Sequence, residues 1–208
     1  MTSPTILQAS DLCFAYPERA LFDKFSRNIP AGVTLIRGGD GCGKTSLIRL
    51  LAGELTAQSG QLTINGIRLD QQVAQYRQQV YYVDPHTKEF DQMTVPQYLA
   101  TVQARFASFD AAALPALLEG LSLTPHVEKK LFMLSTGSKR KVYLAAAFAA
   151  GAAVTLLDDP FASLDKGSIN FVCVTLNALS KRGGQVWLAS FYEIPTDIVA
   201  LASIDLGN

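Results

Sequence analysis

An excess of either charge is missing. Lysine plus arginine and aspartate plus glutamate number 18 each in 208 residues. A neutral chain has no general pull towards nucleic acid or anionic membrane, so no nucleic-acid partner is expected, although a neutral total leaves room for a basic stripe on one face. Cysteine is equally scarce. Cys13, Cys42 and Cys173 lie far apart and without metal-ligand spacing, which argues against a disulfide framework or a zinc module and reads as reduced cytosolic thiols. A long hydrophobic run is absent too: the most apolar stretch, Leu144 to Leu157, is too short to span a membrane and is broken by Gly151. Met1 to Ala9 carries neither the basic start nor the apolar middle of a secretory signal. The expectation is a soluble, cytoplasmic chain whose membrane role comes only through a partner. There is no internal repeat or low-complexity tail. The length suits one medium domain that buries about 70% of its unfolded surface.

What is present is concentrated in Gly38-Gly39-Asp40-Gly41-Cys42-Gly43-Lys44-Thr45, which fits the phosphate-binding pattern G-x-x-x-x-G-K-[ST]. Val33-Thr34-Leu35-Ile36 ahead of it reads as a buried strand. Ser46 to Leu51 behind it carries apolar residues at helical spacing, with Gly53 as a stop. Glycines let successive N–H groups turn inward around a phosphate, and the helix N-terminus adds positive potential. Lys44 is expected to reach the terminal phosphates of a nucleoside triphosphate and the Thr45 hydroxyl to hold Mg²⁺. Gly38, Gly39, Asp40, Gly41, Cys42, Gly43 and Ser46 complete the cradle. Cys42, inside the loop, reads as a small loop residue.

In chain order, Leu12 to Tyr16 is β-prone and is ended by Pro17, and Ala31-Gly32 turns into the strand before the phosphate loop. Leu62-Thr63-Ile64 and Ile67-Arg68-Leu69 flank Asn65-Gly66, a strong hairpin signal. Val80 to Val83 reads as a further strand, closed by Asp84-Pro85. From about Thr87 the character changes: Val95 to Phe106, Ala111 to Leu121 and Ser138 to Ala150 read as helices. Strands return at Val154 to Leu157 and Gln185 to Ala189, with a helix from Ser168 to Ser180 between them. Strands alternating with helices predict an α/β fold with a mainly parallel sheet covered on both faces. The expected division is a nucleotide-binding core over residues 1–86 and 151–208, interrupted by a helical unit over 87–150.

The strand Val154 to Leu157 ends in Asp158-Asp159. A carboxylate leaving a buried strand beside a phosphate loop is where the Mg²⁺ ligand of phosphate-loop NTPases sits, which points to Asp158. Asp159 would orient or deprotonate the attacking water. Leu134-Ser135-Thr136-Gly137-Ser138 opens a helix with Ser135 as N-cap.

The phosphate loop, Leu134 to Ser138, Leu156 to Pro160 and Ser163-Leu164-Asp165 follow one another in the order found in ABC-type ATPases. The chain resembles a single nucleotide-binding subunit of an ABC transporter over nearly its whole length. Within that family its compact length resembles the small ATPase subunits of haem exporters. The resemblance implies a P-loop, RecA-like core, an ABC-specific antiparallel β region, and an inserted helical subdomain carrying the signature motif. It implies an adenine-stacking aromatic, for which Tyr16 is favoured over Phe14. It also implies that Ser135 and Gly137 contact ATP held by the opposite subunit, in a head-to-tail dimer of this chain with itself or with a paralogue. Ser163 to Asp165 would cross that interface, and separate integral-membrane permease subunits would be the transport partners.

Four positions depart from the family pattern. Asp159 stands where glutamate is usual; it is one methylene shorter, roughly 1 Å, and misplacement of that order costs about a hundredfold. Phe191 stands where a γ-phosphate histidine is expected and cannot donate a hydrogen bond, which leaves Ser190 or Tyr192 as substitutes. The glutamine of the core–insert joint is replaced by Pro85 or His86, and His86 keeps a capacity to hydrogen-bond a water. Thr136 adds bulk within the signature. Groups that hold nucleotide and metal are thus kept, while those that align water are altered. The expectation is an ATPase that is slow or partner-dependent; the alternative is a nucleotide-gated regulatory subunit with little hydrolysis.

Overall fold

The structure, a computed structural model, describes residues 5–191 and 197–207. The chain opens with two long antiparallel strands, β1 (Thr5–Tyr16) and β2 (Arg19–Pro30). Then come β3 (Gly32–Arg37), the phosphate loop, and α1 (Lys44–Leu51). The hairpin of β4 (Ser59–Ile64) and β5 (Ile67–Arg68) turns through Asn65 and Gly66, both at positive φ (49° and 81°), as a two-residue turn of matching twist requires. After α2 (Val73–Gln78) and the short β6 (Val80–Tyr81), the chain turns helical with α3 (Val95–Arg105), α4 (Leu114–Gly120) and α5 (Thr136–Ala150). It closes with β7 (Val154–Asp158), α6 (Lys166–Arg182), β8 (Val186–Ser190) and β9 (Ala202–Asp205).

Two sheets result. The antiparallel one has the order β2-β1-β4-β5, and the parallel one β6-β7-β8-β3-β9. Side chains of the parallel strands alternate between two cores, as strand geometry dictates. Val186 and Leu188 of β8 face a core shared with the antiparallel sheet and α1, whereas Trp187 and Ala189 face the core of α3, α5 and α6. Burial on both faces explains why β3, β7 and β8 read as continuous apolar runs.

Several elements differ from the expectation. The strand at Val80 is two residues long and, among the described residues, pairs only with β7. The segment from Ala111 divides into a 3₁₀ turn, Ala111–Ala113, and α4, with Pro115 in the first turn of the latter. The helix expected from Ser168 starts two residues earlier, because Asp165 caps it by accepting from the Ser168 N–H at 2.9 Å. β2, α2 and β9 carry no signal that the sequence reading detected.

Two further helix starts have chemical causes. Thr94 and Gln97 form a reciprocal capping box at α3: the Thr94 N–H donates to Gln97 Oε1 at 2.8 Å, and the Thr94 hydroxyl accepts from the Gln97 N–H. At α5 the Ser135 hydroxyl accepts from the Ser138 N–H at 3.1 Å, and Gly151 at φ 65° ends the helix. Lys139 of α5 pairs with Asp91 and donates to the Thr87 carbonyl, tying that helix to the 87–91 segment.

Candidate nucleotide site

The phosphate loop joins the end of β3 to the start of α1, at the C-terminal edge of the parallel sheet. Gly38, at φ 147°, is pinned from two sides: a Cβ there would lie 2.4 Å from Cys42 Sγ and 2.9 Å from the Gly207 carbonyl. The Gly39 N–H donates to that same carbonyl at 3.1 Å, so the segment after β9 buttresses the loop. This support was invisible in the sequence. Cys42 is buried, with its thiol tucked against Gly38, which fits its reading as a small loop residue. Lys44 Nζ donates to the carbonyls of Gly38 (2.7 Å) and Gly39 (2.8 Å). An ammonium has three donors, so two hold the lysine over the loop and a third is left.

A cavity of about 290 Å³ opens here, lined by Asp40, Gly41, Gly43, Lys44, Thr45 and Ser46 from the loop and α1. Asp158 and Asp159, together with Ser190 and Phe191, line it from the ends of β7 and β8. Asp158 and Ser190 are register partners on adjacent strands, and the Ser190 hydroxyl donates to Asp158 Oδ1 at 2.7 Å. The same hydroxyl accepts from the Asp159 N–H at 3.1 Å. Ser190, 1% exposed, is therefore committed to holding the two aspartates. Arg140 of α5 donates from Nη1 to the Asp159 carbonyl at 2.5 Å. Asp159 itself sits at φ 44°. Burial raises its carboxyl pKa and Asp158 adds to the rise, while Arg140 and Lys44 oppose it.

Of the other residues singled out in the sequence, Phe191 lines this cavity and Tyr16 does not. Tyr16 is 43% exposed and Phe14 only 7%; the rings meet edge-on at 5.0 Å, and the Tyr16 hydroxyl lies 3.2 Å from Ser46 Oγ. Phe191 is 2% exposed and stacks on Phe161 at 5.0 Å. Ser135 and Gly137 lie at the start of α5 and do not line the cavity. His86 is exposed on a turn, with its N–H donating to Asp84 Oδ1 at 2.8 Å, and does not line it either. Tyr192 lies outside the described residues. The fastening of Asp159 by Arg140 and Ser190 was missed, because hydrogen bonds between groups 19 and 31 residues apart leave no trace in local spacing.

Thr45 and Asp158 bring two hard oxygen donors to one cavity. Magnesium takes such oxygens, usually one or two from protein with the rest from phosphate and water. Among the described residues no group of three or more His, Cys, Asp or Glu side chains gathers to hold a metal ion by itself.

A strand, glycine loop and helix at the carboxyl edge of a parallel sheet, facing two strand-end carboxylates, define a phosphate-loop nucleotide-binding protein. Comparison with known proteins narrows the class: the family model described as ABC transporter matches residues 22–162, and the chain belongs to that family, as an ATP-binding cassette. The cytochrome c biogenesis ATP-binding export protein CcmA of Pseudomonas fluorescens (strain Pf0-1) is 30% identical over 209 residues, covering 100% of this chain and 99% of its own. The protein of the same name from Yersinia pseudotuberculosis serotype I (strain IP32953) is 30% identical over 206 residues, covering 98% and 94%. A solved structure described as the ATP-binding subunit of an ABC transporter superposes with a TM-score of 0.82 at 23% identity, over 90% of this chain and 80% of that one. That likeness bears on the fold, with its P-loop core, parallel sheet and separate antiparallel sheet. Among the described residues no helix is long and apolar enough to cross a membrane.

Proposed function

We propose that this chain is an ATP-hydrolysing subunit that closes head-to-tail as a dimer on ATP and drives export through separate integral-membrane subunits. The observation that carries the reading is the single cavity shared by Lys44, Thr45, Asp158 and Asp159. Relatives named as export proteins of cytochrome c biogenesis support the direction of transport. The working location would be the cytoplasmic face of the inner membrane, held there by the membrane partners.

In this reading Lys44 and the loop N–H groups neutralise phosphate charge. Tyr16, the more exposed of the two candidate aromatics, stacks on adenine. Thr45 and Asp158 would hold Mg²⁺, which when bound supplies charge neutralisation at the β- and γ-phosphates. Asp159 orients the attacking water and accepts its proton, a role that a raised carboxyl pKa favours. Ser135 and Gly137, which do not line their own cavity, serve the partner's nucleotide. Residues 87–150 form the helical unit that presents them, between core segments 1–86 and 151–208. His86 would act only through a water.

The test is ATP turnover by purified protein across a wide concentration range, beside Asp159→Asn and Asp159→Glu. Turnover that rises faster than linearly with protein and falls to a small residual in Asp159→Asn is the expected result. Full turnover in Asp159→Asn would end the assignment of Asp159.

A second reading, a nucleotide-gated subunit with little hydrolysis, is favoured by one observation. Phe191 is packed onto Phe161 and offers no hydrogen-bond donor to a γ-phosphate. Tight ATP binding without turnover, unrepaired in Asp159→Glu, would put this reading ahead.

A further inference from the structure

Asp159 is fastened at both of its backbone polar atoms by side chains from different elements. Its N–H donates to the Ser190 hydroxyl of β8 at 3.1 Å, and its carbonyl accepts from Arg140 of α5 at 2.5 Å. Between these two fastenings the residue adopts φ 44°, a left-handed conformation that Cβ-bearing residues disfavour and that persists only where the surroundings impose it. Arg140 is a demanding choice for this purpose. It is 7% exposed, and its Nε is buried without a hydrogen-bond partner. Burial of a guanidinium is unfavourable unless opposed by nearby charge, and here Asp159 and then Asp158 supply that charge. A carbonyl could be satisfied by a neutral donor. What a cation adds at this point is attraction to the two carboxylates at the strand end.

We propose that Arg140 is a positioning residue for Asp159: by gripping the Asp159 carbonyl opposite Ser190, it fixes the left-handed backbone that turns this carboxylate towards the phosphate cavity. The inference rests on the reading of Asp159 given above. It matters more for an aspartate than for a longer side chain, since a short carboxylate has fewer torsions with which to correct a displaced backbone. Arg140 also rides on the helix that begins at Ser135, so the setting of Asp159 follows the position of that helix. Its neighbour Lys141 pairs with Asp165 at 2.5 Å, and Gly137 abuts the Ser163 carbonyl. One face of α5, residues 137, 140 and 141, thus touches the chain that runs from Asp159 to Asp165.

The experiment is steady-state ATP turnover of the full chain with Arg140→Met and Arg140→Lys, each made alone and in the Asp159→Asn background. Arg140→Met is expected to lower kcat about a hundredfold, the cost of misplacement near 1 Å, while the KM for ATP stays within about twofold, the signature of an interaction that does not serve ground-state binding. Arg140→Lys, which keeps a buried cation, is expected to recover part of that loss. In the Asp159→Asn background Arg140→Met should change residual turnover by less than about twofold, because a residue acting through Asp159 has nothing left to act on. An equal loss in both backgrounds, a rise in KM with kcat intact, or an unchanged kcat would overturn the proposal. If Arg140→Met does not fold, Arg140→Lys decides: a lowered kcat at unchanged KM supports the positioning role, and a wild-type kcat overturns it. Wild-type turnover in Asp159→Asn alone would remove the reading of Asp159 itself, whatever the Arg140 variants do, and an inactive wild type would remove both.

Discussion

The carbonyl oxygen of Ser163 lies 2.2 Å from the point that a Cβ on Gly137 would occupy. Helix α5 and the loop before α6 therefore meet backbone to backbone, and only glycine permits it. Alanine in a helix is ordinarily favoured over glycine by about 1 kcal/mol. At this position the sign is expected to reverse. Gly137→Ala must push the Ser163 loop away, and overpacking of that kind costs about 1–3 kcal/mol. A lowered urea midpoint with unchanged slope is the predicted outcome; an unchanged or raised midpoint would mean that the contact is loose.

Lys44 has two of its three ammonium protons on the Gly38 and Gly39 carbonyls. The third is the donor available to a phosphate. Hydrogen bonds to charged groups contribute about 1.5–3 kcal/mol net. Lys44→Ala is accordingly expected to weaken Mg-ATP binding about ten- to a hundredfold, measured by titration calorimetry. Unchanged affinity would remove this cavity as the nucleotide site.

Asp165 accepts from Lys141 Nζ at 2.5 Å and from the Ser168 N–H and hydroxyl at 2.9 and 3.0 Å. The lysine, and then the serine, hold its carboxyl well below the usual carboxylate range. A depressed folded-state pKa gives stability that is present above the unfolded value, about 3.9, and is lost as pH falls through the folded value. Asp165→Asn keeps a good N-cap but removes the charge. Its deficit against wild type should hold steady from pH 7 to about 5 and then shrink at more acid pH. Because the Asp165 side chain is 60% exposed, the deficit should also shrink with added salt. Urea midpoints over that pH range test it, and a deficit that grew towards acid would contradict the ion pair.

Much of the phosphate site was legible because its constraints are local. Gly38 and Lys44 belong to one short loop, Ser135 announces a helix start, and Asn65-Gly66 needs positive φ at adjacent residues. β2 was not legible, since its burial does not alternate: Leu21, Phe22 and Phe25 face inward among exposed neighbours. In α2 only Tyr76 is buried, and in β9 only Ile204, too little for any period. In the sequence Ser190 is, beside Tyr192, one of two candidate substitute donors for the missing histidine. Its hydroxyl instead bridges Asp158 and Asp159, a role set by strand register and not by neighbouring sequence. Arg140 reads as one of three successive cations at the start of a helix, and only packing separates it from Lys139 and Lys141.

By the resemblance a histidine is expected where Phe191 stands, and the simplest repair, Phe191→His, is expected to fail before it helps. The ring is 2% exposed and stacked on Phe161. An imidazole there brings polar nitrogens into an apolar contact, and an unpaired buried polar group costs about 1–3 kcal/mol. For a chain of this size each kcal/mol is worth about 2–4 °C, so the Tm of Phe191→His should fall by several degrees. Position 191 also lines the phosphate cavity. A bound γ-phosphate would therefore give the new nitrogen the acceptor it lacks, and ligand that binds only the folded state raises Tm in proportion to its affinity. Saturating Mg-ATP should raise the Tm of Phe191→His by more than it raises that of wild type. Equal increments in the two proteins would mean that position 191 does not reach the phosphate, and that histidine loss is not what sets the rate of this site.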